Sequence, residues 1–179
     1  MPTVFVYASL IFLMLLCFSF ARQLSPYARN LYDTENVSVA YVVFFVLPLL
    51  AMAYTFGIRY NVGADHLNYL NIYLYGYRWR QHELLYVMIM NIFALCKAPY
   101  PLFFGFMTLL QASFFFVAFR KEPQLLVWLV LFLFFDGLVG SWNNIIRASI
   151  AGCIWIYSID YIVERKLVSY LICNLIAVG

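Results

Sequence analysis

Charge is scarce in this sequence: Asp, Glu, Lys and Arg make up 11% of its 179 residues, against ~25% in an average soluble domain. Histidine occurs twice, while 66% of the residues are apolar and 21% are aromatic. A folded soluble chain of this size still exposes much of its surface to water, and so few polar groups cannot cover it. A soluble enzyme and a disordered chain are therefore excluded. The net charge of +3 is small and scattered, which excludes a nucleic-acid binder tracking phosphates. The four cysteines, Cys17, Cys96, Cys153 and Cys173, each sit in an apolar run, with no CxxC pair and no histidine at ligand spacing. They read as small buried hydrophobes, so no disulfide, structural metal or cofactor is indicated. What remains is a polytopic, all-α membrane protein.

Residues 2–21 are continuously apolar or small, long enough to span ~30 Å of hydrocarbon. Ser19-Phe20-Ala21 resembles a signal-peptidase site, but no basic segment precedes it and the apolar run is too long, so a first span is expected. Further spans are expected at about 37–57 (with a kink at Pro48), 84–98, 102–119, 125–140 and 145–163, and a seventh begins at 167. As a helix, residues 167–179 reach only ~20 Å. The expectation is that 1–179 is one transmembrane domain from the front half of a longer protein, cut inside its last helix. No internal repeat of 20–50 residues is apparent, which gives no support to an inverted-repeat carrier. With strict alternation, the side holding 58–83, 120–123 and 164–166 carries seven Lys or Arg and the other four. The positive-inside rule then makes 58–83 cytoplasmic, but without Arg59, Arg78 and Arg80 the count is even.

Three polar constellations interrupt the apolar runs. The first, Arg59-Tyr60-Asn61-Val62-Gly63-Ala64-Asp65-His66-Leu67-Asn68-Tyr69, directly follows a span. Arg59 and Asp65 at the lipid boundary need partners or a function, and Gly63 permits a tight turn. The structural alternative is that Arg59 reaches lipid phosphates and Asp65 caps the next helix. The second, 66–82, is rich in Tyr and Trp and reads as an amphipathic interfacial helix, with Leu67, Leu70 and Leu74 on one face. Glu83 opens the next span, where a carboxylate suits the helix dipole and is available for chemistry. A metal site from Asp65, His66, His82 and Glu83 matches no known ligand spacing.

The third runs from Asp136-Gly137 to Asn143-Asn144-Ile145-Ile146-Arg147. The glycines would break the fifth helix early, and Asn144 would cap the sixth. Arg147 then falls in a first helical turn, where a cation opposes the dipole. Either an anion such as pyrophosphate accounts for it, or an ion pair with Asp136 or Asp65 does.

In these segments the chain resembles the EpsG-type, Wzy-like exopolysaccharide and O-antigen polymerases. That family carries Arg-Tyr-x-Val-Gly-Thr-Asp-Tyr-x-x-Tyr after an early span, matched by Arg59, Tyr60, Val62, Gly63, Asp65 and Tyr69. Ala64 and His66 replace the usual Thr and Tyr. An acidic residue opening the next span is matched by Glu83. A later Asn-x-Ile-Arg-Gln-x-Ile-Ala is matched by Asn144, Ile146, Arg147, Ile150 and Ala151, with Ala148 in place of Gln. The resemblance covers essentially the whole chain, and family members are longer.

It implies a GT-C-like membrane glycosyltransferase of the bacterial inner membrane. Such an enzyme joins oligosaccharide repeat units carried on undecaprenyl pyrophosphate at the outer face, without metal or cofactor. Asp65 would be the catalytic base, with Glu83 second. Arg59, Tyr69, Asn144 and Arg147 would bind the lipid-linked substrate, and the aromatic interfacial helix would guide lipid or sugar. Membrane lipid and polysaccharide chain-length and export proteins are the implied partners. The rival readings are a flippase of lipid-linked oligosaccharide and an inactive truncated fragment.

Overall fold

The computed structural model describes residues 2–28, 38–60, 63, 65–75 and 84–178. Among them are nine α-helices and no strand: α1 (Pro2–Leu24), α2 (Val39–Gly57), α3 (His66–Tyr75), α4 (Leu84–Leu95), α5 (Tyr100–Ala118), α6 (Pro123–Phe135), α7 (Leu138–Asn144), α8 (Ile146–Val163) and α9 (Leu167–Val178). The expected all-α membrane fold is present, and among the described residues the count of seven spans is not confirmed. Four helices are long and apolar enough to cross a bilayer, namely Val4–Leu24 of α1, α2, α5 and α8. The pair α6–α7, bent by 65°, makes a fifth if counted as one span. α4 and α9, at 12 residues each, extend ~18 Å and fall short of the hydrocarbon thickness. α2 continues through Pro48 without interruption.

The core forms because apolar side chains recur at helical spacing. Leu10, Met14 and Phe18 of α1, Phe45, Leu49, Met52 and Phe56 of α2, and Leu126, Val130 and Leu133 of α6 are all buried. Phe18 stacks on Phe116 of α5 at 4.7 Å between ring centroids. The outward faces of these helices are equally apolar: Val42, Val43, Leu47 and Leu50 are exposed. A helix that is apolar all round belongs in lipid.

Contacts along the helices fix their directions. Tyr7 meets Phe56, and Phe20 meets Phe44, so α1 and α2 are antiparallel. A Cβ on Gly57 would lie 2.6 Å from the Pro101 carbonyl oxygen and 3.0 Å from the Gly105 Cα. The end of α2 and the start of α5 therefore touch backbone to backbone, which only glycine allows here. At the opposite end of α5, Lys121 Nζ bonds Glu164 Oε1 at 2.7 Å and Asp160 Oδ2 at 3.1 Å. The Lys121 bond to Glu164, with a second from Lys166, holds the Glu164 carboxyl well below its ordinary range, at about 2.

This geometry corrects the strict alternation of spans. The chain leaves α2 and enters α5 at the same end of the bundle, so α3 and α4 add no net crossing. Tyr86 and Phe93 of α4, two turns apart, both reach the ring of Phe103, at 6.0 and 5.8 Å. α4 thus packs its aromatic side chains on Phe103 near the start of α5. The packing of α3 is led by its aromatic residues. Its buried face is His66, Tyr69, Leu70 and Tyr73, while Leu67 and Leu74 are exposed. The aromatic face packs inward, because Tyr73 stacks on Phe103 at 4.9 Å and its hydroxyl donates to the Ala98 carbonyl.

The two topologies are separable by labelling. Strict alternation puts Asn71 and Arg165 on one side of the membrane; the fold puts them at opposite ends. With the native cysteines replaced by alanine, Asn71→Cys and Arg165→Cys should react oppositely with an impermeant maleimide on intact cells. Equal labelling of both would contradict the fold.

Candidate functional site

The site is built around a break in a helix. Gly137 takes a left-handed φ of 79° after α6, and Asp136 ends that helix exposed to solvent. Seven residues later Ile145, at φ −115° and ψ 56°, interrupts the ladder between α7 and α8. In an unbroken helix the carbonyls of Trp142 and Asn143 would accept from residues 146 and 147. Buried carbonyls that lose those donors need others.

Two polar side chains from distant parts of the chain supply them. Gln111 of α5 donates through Nε2 to the Trp142 carbonyl at 3.2 Å and to the Ile146 carbonyl at 3.3 Å. Arg59 donates through Nη2 to the Asn143 carbonyl at 3.2 Å, across 84 residues of sequence. Arg59 is only 7% exposed, and its guanidinium lies 5.8 Å from the centroid of Phe104. Burial pushes its pKa down to about 10, so it stays protonated at neutral pH. Its Nε and Nη1 find no hydrogen-bond acceptor among the described residues.

Beside it, His66 is fully buried against Phe104, with ring centroids 5.0 Å apart. Burial first, and the Arg59 charge second, lower its pKa, so the imidazole is neutral at pH 7.

The turn between α2 and α3 meets the same break. Gly63 has φ 97°, and a Cβ there would collide with Asn144 Oδ1. Asp65 occupies the cap position of α3: its carbonyl accepts from the Tyr69 N–H at 3.0 Å. Its carboxylate Oδ1 accepts from Asn68 Nδ2 at 3.3 Å and remains half-exposed. Asn144 does not cap α8 as expected. It is the last residue of α7, and Ile145 holds the cap position with no side-chain cap bond. Arg147 does fall in the first turn of α8, with its guanidinium 5.8 Å from the Tyr69 ring and 5.7 Å from the Tyr86 ring. Cation–π contacts of this kind are worth ~0.5–2 kcal/mol.

Arg59, Asp65, Tyr69, Asn144 and Arg147 are thus gathered at one end of the bundle. Glu83, like Arg78, Arg80 and His82, lies outside the described residues. Sequence reasoning passed over Gln111, Phe104 and Tyr86. Gln111 had a readable signal, being the one amide within the apolar run of α5. The two rings had none, because phenylalanines and tyrosines fill the chain.

An all-helical membrane bundle with a buried arginine bound at a helix break, and a second arginine in the next helical turn, is the class of protein these features define. The chain belongs to the EpsG family, whose profile matches residues 42–179, and so to a group of exopolysaccharide polymerase-like membrane proteins acting on lipid-linked oligosaccharide. No curated protein sequence and no solved structure matches the chain.

Gln111→Met keeps length and removes the donor. Leaving buried carbonyls unsatisfied costs about 1–3 kcal/mol, and the thermal midpoint of the purified protein should fall accordingly. An unchanged midpoint would mean that the break does not depend on Gln111.

Proposed function

We propose that this chain forms the donor-binding and proton-accepting part of a polymerase that joins undecaprenyl-pyrophosphate-linked repeat units. The observation that carries this reading is that the segment after α2 meets the break before α8 at one end of the bundle: Arg59 bonds Asn143, Gly63 abuts Asn144, and Tyr69 lies under Arg147. Two polar segments that cost stability separately make sense together if they handle one substrate.

In the reaction, a hydroxyl oxygen of the acceptor unit attacks the anomeric carbon of the donor unit. The new C–O bond forms as the bond from that carbon to pyrophosphate breaks, and the electron pair leaves on the pyrophosphate. Attack from the opposite face inverts the configuration. The hydroxyl proton passes to the half-exposed Asp65 carboxylate, which acts as general base. Arg147 neutralises the charge growing on the leaving group, with a planar fork suited to phosphate oxygens. Arg59 adds a positive charge buried beside the site, and Tyr69 and Asn144 border the substrate. Glu83 is the reserve carboxylate. The overall architecture expected is GT-C-like.

The site faces outward in this reading, towards the side of the bacterial inner membrane where such lipid-linked units are polymerised.

Asp65→Asn keeps an oxygen to accept from Asn68 and removes only the base. In the complete protein it should lower polymer formation by about 100- to 10,000-fold with no loss of folded protein. Arg147→Ala should cost about 100- to 1000-fold. Arg147→Lys should recover only part of that, because an ammonium cannot grip two oxygens in a fork. Polymer yield at the parental level in Asp65→Asn would refute the assignment.

A further inference from the structure

A groove of about 400 Å³ lies between α4, α5, α8 and α9. That volume is within the ~300–1000 Å³ of small-molecule sites. Its walls are apolar, with Ile89 of α4, Leu110 and Phe114 of α5, Ile154 of α8 and Ile176 of α9 among them. Among the described residues, the one charged side chain lining it is Arg147.

The lining residues of α8 follow one helical face: Arg147, then Ile150 and Ala151, then Ile154. From position 147 to 154 that face advances ~10 Å along the helix. The groove therefore starts at the cationic end of the bundle and runs towards the middle of the membrane. Ala148 and Ala151 make that face of α8 shallow, and so deepen the groove. Its complement is a ligand with an anionic head and a single apolar chain.

We infer that this groove seats the head-proximal isoprene units of a polyprenyl pyrophosphate, with the pyrophosphate at Arg147. The inference rests on the polymerase reading above and assigns the lipid a place within it. It moves lipid guidance away from α3. The tyrosines Tyr69 and Tyr73 of α3 are buried in the protein and are not available to shelter a chain. One cation over one channel suits a single-chain pyrophosphate better than a two-chain phospholipid.

The test uses the complete protein in lipid nanodiscs and a polyprenyl pyrophosphate bearing a diazirine in its third isoprene unit. After irradiation, adducts should map to residues 106–114 of α5 and 147–154 of α8. Excess unlabelled polyprenyl pyrophosphate should abolish them, and equal phosphatidylglycerol should not. Ala151→Trp, which plugs the groove, should reduce adducts at least ten-fold while its thermal midpoint confirms folding. Adducts mapping to α3 or α6, equal competition by phosphatidylglycerol, or no saturable labelling would each overturn the assignment. Polymer formation by the same preparation separates the two ideas. Polymer without groove adducts sinks the groove alone; groove adducts without polymer sink the polymerase reading and leave the groove standing.

Discussion

The hydrogen bond from Arg59 to the Asn143 carbonyl is the contact on which the site depends. A guanidinium is expensive to bury, and it stays buried only where acceptors repay its lost hydration. A helix that stops at Ile145 offers an acceptor in the right place. The break and the cation therefore stabilise each other: the carbonyl that α8 cannot satisfy takes a donor from the end of α2. Gln111 plays the same part for Trp142. The outcome is that Arg147 begins a new helix against Tyr69 and Tyr86, instead of continuing α7 in another direction.

This arrangement needs the unusual path between α2 and α5. Two short helices fold back onto the end they started from, and the glycine pair Gly57 and Gly105 lets α2 and α5 close up beneath them. Four long helices and one bent pair then form the membrane frame, while α3 and α4 cover the site end. The fixed charges at the far end, among Arg120, Lys121, Asp160 and Glu164, tie α5 to α8 about one helix length away from the site. Rigidity at that end keeps the start of α8 in register with α5.

The helices themselves were largely legible in the sequence: the long apolar runs are helices within a few residues of their expected bounds, except 125–140, which breaks at Asp136-Gly137 into α6 and α7. The crossing count was not. Twelve to fifteen apolar residues at 84–98 look like a span by composition, and only the contact of Gly57 with Pro101 and Gly105 reveals that the chain returns to the end it left. Which face of α3 turns inward was not legible either: Tyr69 and Tyr73 find aromatic partners and Leu70 is buried with them, while Leu67 and Leu74 face outward. The candidate site was better foreshadowed, because Arg59, Asp65, Asn144 and Arg147 are rare polar residues in an apolar chain, and rarity at membrane depth points to use. Their convergence was invisible, as it depends on a carbonyl freed by a backbone break. Asn144 was misread as a cap: it ends α7, and Ile145 takes the cap position of α8.

The central claim is that Arg59 holds the break between α7 and α8. The direct test is amide hydrogen exchange across residues 141–148 in the complete protein in nanodiscs, comparing the parental protein with Arg59→Met. Exchange in that segment should quicken at least ten-fold, an opening easier by about 1.4 kcal/mol, while α1, α2 and α6 keep their protection. Unchanged protection at 141–148 would show that the break is set without Arg59 and would contradict the account.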